Sequence, residues 1–288
     1  MTPSRRTALT AAAATATLVS GLALLPTVAS ADEGGSPRST TRSARLVGLL
    51  TGGTELVYFK ASSPSEVRSL GTVSLSGTDT RLVGIDWRVQ DGSVYGVGDT
   101  GGVYRLALGD GSVTSTRVSS LTVELDPTAD RFGVDFNPAA DRLRVVSTTG
   151  QNLRHNVNLG GSTIADTPLT SPGVVPALVV VAAGYTNNDL AATTGTTLFD
   201  LTSVGSVAVQ SPANSGQLAP VGSLGVGPTD TAAFDVRTQV EEGRVLNTGF
   251  AALGAAGERG LFAVDALSGR ATLLGPLGAA VDDLAVIS

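Results

Sequence analysis

The sequence contains no cysteine, one histidine (His155), one lysine (Lys60) and one tryptophan (Trp87), and only 4% of it is aromatic. Each shortage excludes something. Without cysteine there are no disulfides, no thiolate metal ligands and no thiol for a lipid anchor. With one histidine, a Ser-His-Asp triad or a histidine-held metal would depend on His155 alone, for which a core or solvated role is favoured. No HExxH, G-x-S-x-G, P-loop or twelve-residue calcium loop is present, and the G-x-G-x-x-G at residues 96–101 runs into a strand pattern, so it reads as a glycine-rich hairpin. No window of a dozen residues has a 3.6-residue apolar period, so helix should be scarce. Acidic residues outnumber basic ones, 25 to 19. With no basic stripe to displace counterions, a nucleic-acid partner is not expected.

The N-terminus explains part of the length. Arg5 and Arg6 precede an uncharged Ala/Thr/Leu/Val run over residues 7–28, and Ala29-Ser30-Ala31 has the small-x-small pattern of a cleavage site. Residues 1–31 therefore read as an export signal. A retained membrane anchor fits less well, because Pro26 interrupts the run and a cleavage site stands where a stop-transfer flank belongs. SRRTAL resembles a twin-arginine signal, although Ala8 and Thr10 depart from its bulky and basic positions. The expectation is an extracellular, secreted protein exported by the twin-arginine or the general secretory route, with no membrane anchor after cleavage. Loss of Arg5 and Arg6 from the 19 basic residues leaves 17 against 25 acidic ones, a net charge of −8. Residues 32–43, rich in Gly, Ser, Thr and charge, read as a disordered leader.

From residue 44 to 288 the chain reads as one all-β domain. Apolar runs of four to seven residues alternate with turn chemistry, as in DGSVYGVGDTGGVYRLALGDGS, a pair of hairpin signals. Overlaying the segments exposes a period close to fifty residues. GIDWRVQDGSVYGVGDTGGVYRLAL aligns with GVDFNPAADRLRVVSTTGQNLRHNV, placing Asp86 on Asp135 and Trp87 on Phe136. Asp235 lies two periods further on, and in the unit between them Tyr185 is assigned to the aspartate position. The last copy is cut short: residues 281–287 supply only a first strand, and residues 46–60 look like the rest of that unit. Pairing the two ends would close a ring and leave no exposed edge. The expected architecture is a β-propeller of four-stranded blades, five favoured and six allowed because residues 211–228 can conceal further strands. A β-sandwich would not give regular spacing with a split terminal unit.

The strings GVDFNPAADRLRVVSTTGQNLR, LVGIDWR, AAGYTNN, TTLFDL and GLFAVDALSGRATLLGPLG together resemble the bacterial secreted family known as domain of unknown function 4394. The resemblance covers nearly all of residues 44–287. It implies a propeller-like fold and export, and no reaction. Gly184 stands where an alanine or aliphatic residue is usual.

Two residue sets carry candidate chemistry. First strands of propeller blades line the central channel, so Asp86, Asp135, Asp235 and Asp282, or its neighbour Asp283, can form a carboxylate ring able to hold a hard cation such as calcium. The competing and favoured reading is that each blade needs the carboxylate to accept backbone N–H groups from its neighbour. The second set is Arg142, Arg144, Asn152, Arg154 and Tyr185. Arg142 and Arg144 are two apart on one strand, a fork for a carboxylate, sulfate or sugar hydroxyl, unless they pair with acids such as Asp130 and Asp141 between blades. The functional expectation is a monomeric, non-enzymatic binding or scaffold module with a small molecule, glycan, protein or ion at one end of the channel. The alternative is a hydrolase or lyase acting on a sugar or lactone through channel carboxylates, which rests on fold analogy.

Overall fold

In the computed structural model the described residues are 41–287, apart from 192–193, 228, 230, 242 and 256–257. The export signal read over residues 1–31 and the leader up to residue 40 lie outside the described residues. Twenty strands form five antiparallel sheets of four. Blade 1 contains β1 (Arg45–Leu50), β2 (Glu55–Lys60) and β3 (Ser63–Thr72). Blade 2 is β4 (Leu82–Arg88), β5 (Ser93–Gly98), β6 (Gly102–Leu108) and β7 (Val113–Ser120). Blade 3 is β8 (Phe132–Asn137), β9 (Arg142–Ser147), β10 (Asn152–His155) and β11 (Thr163–Ala165). Blade 4 is β12 (Val180–Tyr185), β13 (Leu198–Thr202), β14 (Ser206–Gln210) and β15 (Leu218–Ser223). Blade 5 is β16 (Ala233–Glu241), β17 (Arg244–Ala255), β18 (Glu258–Val264) and β19 (Ala271–Pro276), and β20 (Val281–Ile287) returns to blade 1. The protein is a five-bladed β-propeller.

Closure follows the split repeat. β20 pairs with β1 in the register Arg45↔Ile287, Leu46↔Val286, Val47↔Ala285 and Gly48↔Leu284, giving the sheet order β20-β1-β2-β3. The stretch at residues 211–228 supplies β15, the outer strand of blade 4, which removes the six-blade option. Helix among the described residues is confined to a turn at residues 41–42, ahead of β1, and one 3-10 turn at Ala213–Ser215. The Asp-Gly turns form where the hairpin signals place them, with Gly92 at φ 61° and Gly111 at φ 73°, a conformation that side chains with a Cβ resist.

Alternation within each inner strand divides its side chains between two blade seams. Apolar residues fill five such seams. Ile85, Leu56 and Tyr104 pack between blades 1 and 2, and Tyr95, Phe136 and Leu143 between blades 2 and 3. Val146, Ala183 and Leu198 lie between blades 3 and 4, Phe199, Phe234 and Val236 between blades 4 and 5, and Leu46, Phe59 and Phe250 between blades 5 and 1. With no disulfide, these layers hold the ring together. Each fully buried Leu or Phe contributes roughly 1.5–3 kcal/mol of transfer free energy.

Candidate functional site

The inner strands β20, β4, β8, β12 and β16 meet in cyclic order around the axis. Four of them carry a buried aspartate turned toward the next blade: Asp283, Asp86, Asp135 and Asp235. Each carboxylate accepts a backbone N–H across the seam. Ile85 N–H donates to Asp283 Oδ2 at 2.8 Å, Phe136 N–H to Asp86 Oδ2 at 2.7 Å, Tyr185 N–H to Asp135 Oδ1 at 3.1 Å and Val286 N–H to Asp235 Oδ2 at 2.5 Å. Asp235 and Asp283 also accept from the residue that follows them, at 2.5 Å and 3.0 Å. Four of the five seams are therefore latched by a carboxylate. The fifth, between blades 4 and 5, uses neutral side chains. Thr238 N–H donates to Asn188 Oδ1 at 2.9 Å, Asn188 N–H donates to Thr238 Oγ1 at 3.1 Å, and Asn187 and Asn247 exchange bonds of 3.2 and 3.0 Å.

Gathering carboxylates on a dry axis makes ionisation expensive. Burial pushes Asp86 well above the usual carboxylate range, and the charge of Asp235 adds to it. Asp135 is raised by burial and then by Asp86, Asp283 is raised by burial, and burial brings Asp235 up to about 7. Oxygens of Asp86, Asp135 and Asp235 lie within 4.8 Å of one another, a spacing that oxygen ligands of a cation can span. The space they line is about 10 Å³, close to the volume of a single water-sized sphere. With their carboxyls raised in this way, these groups can share protons, which would meet the same charge requirement without an ion.

Two assignments made from the sequence are corrected here. Asp282 does not enter the ring. It lies to one side, paired with Arg259 at 2.8 Å and Arg131 at 3.6 Å and accepting from Thr51 Oγ1 at 3.0 Å, because strand alternation turns it away from Asp283. Nor is Tyr185 the aspartate equivalent in blade 4. That place belongs to Gly184, where a Cβ would stand 3.0 Å from the Phe234 ring of blade 5. Tyr185 sits one residue on and faces blade 3, at the position of Trp87 and Phe136.

The second residue set converges. A cavity of about 300 Å³ opens between blades 3 and 4, with Arg142, Arg144, Arg154 and Tyr185 in its wall together with Gln210 and Asn214. Tyr185 also borders the small space at the end of the channel, so the two adjoin. Asn152 stands behind the wall, accepting from Arg144 Nη1 at 2.7 Å and donating to the carbonyls of Thr167 and Ala213. The Arg144 side chain, 3% exposed, donates to Tyr185 Oη, Asn152 Oδ1, Asp166 Oδ2 and Asn214 Oδ1. Arg154 holds Asp166 through two bonds of 3.0 Å. The acid partner is thus Asp166, within blade 3, and not Asp130 or Asp141. Asp141 instead grips Arg88 of blade 2 at 2.8 and 2.6 Å. Among the described residues Arg142 donates only to the backbone carbonyls of Ala140 and Asp141. Among the described residues the cavity wall holds three guanidinium groups and no carboxylate.

Behind this seam Asp200 is fully buried with both carboxylate oxygens unpartnered, and Gln210 Oε1 is unpartnered too. Burial lifts Asp200 to about 8 against the pull of Arg144. His155 is fully buried between Ser119 Oγ and Thr163 Oγ1, 3.0 Å from each, and burial together with Arg142 lowers it to about 4. It is neutral at ordinary pH and joins β7 of blade 2 to β10 and β11.

A family model described as a domain of unknown function, DUF4394, matches residues 55–285. The chain belongs to the DUF4394 family. No curated protein matches its sequence significantly. Among solved structures, a protein of unknown function from Bacteroides caccae is similar at 10% identity and a TM-score of 0.44, over 85% of this chain and 99% of that one. A chain from a nidogen/laminin complex is similar at 10% identity and 0.46, over 85% and 98%. TolB from Acinetobacter baumannii is similar at 10% identity and 0.42, over 86% and 67%.

In this DUF4394 chain the missed residues divide by whether the sequence held a signal. Asp283, already offered as the alternative to Asp282, and Gly184 were within reach. Each ring aspartate of blades 2, 3 and 5 is followed by an apolar residue, Trp87, Phe136 or Val236, which favours Asp283-Leu284 over Asp282-Asp283 and aligns Gly184-Tyr185 with Asp135-Phe136. Asp166, Gln210 and Asn214 had no such signal. They lie on an outer strand edge, a third strand and a turn, and only the folded seam brings them to Arg144.

Proposed function

We propose that this DUF4394 chain is an exported, non-enzymatic binding module that holds a small polar ligand between blades 3 and 4, beside one end of the channel. The observation that carries this reading is the convergence of Arg142, Arg144, Arg154 and Tyr185 on one cavity of about 300 Å³, at the small end of the ~300–1,000 Å³ typical of ligand pockets. Its wall is set rigidly. Arg144 and Arg154 are fixed on Asp166, and Asn152 and Asn214 hold Arg144 from two further directions. The alternative, sugar or lactone hydrolysis by channel carboxylates, needs space for a substrate beside a free carboxylate pair. The space there is about 10 Å³, and every ring carboxylate already accepts a backbone N–H.

The test is amide chemical-shift mapping of the mature protein against a panel of neutral sugars, acidic sugars, dicarboxylates and sulfate. Shifts centred on Tyr185, Leu198 and Asn214 are expected for at least one member. A panel that moves no amide in this pocket, or moves only amides elsewhere, would overturn the reading. Export is tested separately: N-terminal sequencing of protein recovered from culture medium should begin at or close to Asp32, and an N-terminus within residues 1–25 would contradict it.

A further inference from the structure

The electrostatics of the pocket narrow its ligand, given the reading above on which this rests. The protein is acidic, with a net charge of −6, yet the described wall of this cavity carries three guanidinium groups and no carboxylate. Asp166 behind the wall can balance only one of them. Arg144 is committed, since its Nε, Nη1 and Nη2 all donate to protein acceptors. Arg142 differs. It makes no ion pair with a carboxylate among the described residues, because both oxygens of neighbouring Asp141 are engaged by Arg88, although its charge helps to hold the Asp141 carboxyl low. Only its Nη1 is used, on two carbonyls. Its Nε and Nη2, and Nη1 of Arg154, have no acceptor among the described residues. The rest of the wall is rich in short hydroxyl and amide groups, among them Asn137, Thr196, Thr197 and Ser211, which suit a ligand with several hydroxyls.

We infer that the pocket takes a sugar acid of about one residue, such as a uronate, with its carboxylate on the free edge of Arg142 and its hydroxyls on the surrounding hydroxyl and amide groups. A planar guanidinium edge pairs with a carboxylate through parallel N–H donors, which an ammonium cannot do. Because the attraction is partly between exposed charges, affinity should fall with salt.

The experiment is calorimetric titration of the mature protein with glucuronate, galacturonate, glucose and sulfate, on wild type, Arg142→Gln and Arg142→Lys. At least one uronate should bind about tenfold or more tightly than glucose. Arg142→Gln should lose that margin, Arg142→Lys should regain only part of it, and raising sodium chloride from 50 to 500 mM should weaken wild-type binding several-fold. Glucose binding as tightly as the uronates, or uronate binding indifferent to Arg142→Gln, would overturn the sugar-acid inference and leave the pocket reading standing. Sulfate binding at Tyr185 without uronate binding would also overturn it, leaving an anion pocket of another class. If none of the four ligands binds, the sugar-acid inference is overturned, and the broader mapping panel decides whether the pocket reading falls with it.

Discussion

The channel and the cavity between blades 3 and 4 both concentrate charge in a protein that otherwise has little of it inside, and they treat that charge in opposite ways. On the axis, carboxylates are packed around a space of about 10 Å³, with each one spent on a backbone N–H of the next blade. In the cavity, guanidinium groups stand around about 300 Å³, and among the described residues Arg142, and Arg154 at Nη1, keep donors unused. A charged residue repeated in four of the five inner strands marks what the seams require. A charged cluster confined to one seam, with room beside it, marks what the molecule presents to something else.

Removing a latch should give the largest effect on that contrast. Asp235→Ala strips acceptors from Val286 and Val236 N–H at a dry seam, so urea unfolding should show a loss of about 2–4 kcal/mol. Asp235→Asn keeps an acceptor without the charge and should lose less than half as much. Equal losses for both variants would mean that charge, and not the backbone latch, holds the seam.

Next in size is the response to pH. Asp235 at about 7 and Asp200 at about 8 lie above their unfolded values. The folded state therefore binds more protons than the unfolded chain between about pH 4 and 8. The stabilisation from these groups is complete below about pH 4 and is lost as pH rises through 7 to 8. Asp141, held below the usual range first by its hydrogen bonds from Arg88, works the other way and loses its contribution as pH falls below about 4. Melting temperature should thus be highest near pH 4–5 and several degrees lower at pH 9. Asp200→Asn should flatten the alkaline part of that slope, and a profile rising from pH 5 to 8 would contradict the protonated interior.

A smaller change separates two arginines that are neighbours in sequence. Arg144→Ala removes a buried partner of Asp166 and should lower stability by about 2–3 kcal/mol. Arg142→Ala should stay within about 0.5 kcal/mol of wild type, as surface substitutions usually do. Comparable losses would place Arg142 in the structural network with Arg144.

The smallest expected effect is none. Neither calcium nor a chelator should move the melting temperature at pH 7, because shared protons and backbone donors already meet the needs of the ring. A rise with calcium would make the axis a cation site.

The ring architecture was legible because a period survives in the sequence wherever every blade faces the same packing problem. GIDW and GVDF show it directly, and the split unit at residues 281–287 and 46–60 announced the closure. Register within the period was harder. A one-residue slip exchanges the two faces of a strand, which is how Tyr185 took the place of Gly184 and Asp282 that of Asp283. The arginines were legible as a cluster on β9 and β10 because alternation puts Arg142 and Arg144 on one face. Their true partners were not. Asp166 follows a short outer strand, and Asn214 and Gln210 belong to the next blade, so no local pattern links them to Arg144. Asp200 carries no sequence signal at all, since an aspartate in LFDLT reads as an exposed strand position.

The division between latch and pocket is tested most directly by one urea-unfolding series: wild type, Asp235→Ala and Arg142→Ala, each with and without saturating glucuronate. A ligand that binds only the folded state raises the midpoint by mass action. Asp235→Ala should start from a lower midpoint and still gain the wild-type increment. Arg142→Ala should start at the wild-type midpoint and gain a clearly smaller increment. The reverse pattern, with the increment lost in Asp235→Ala and kept in Arg142→Ala, would contradict it.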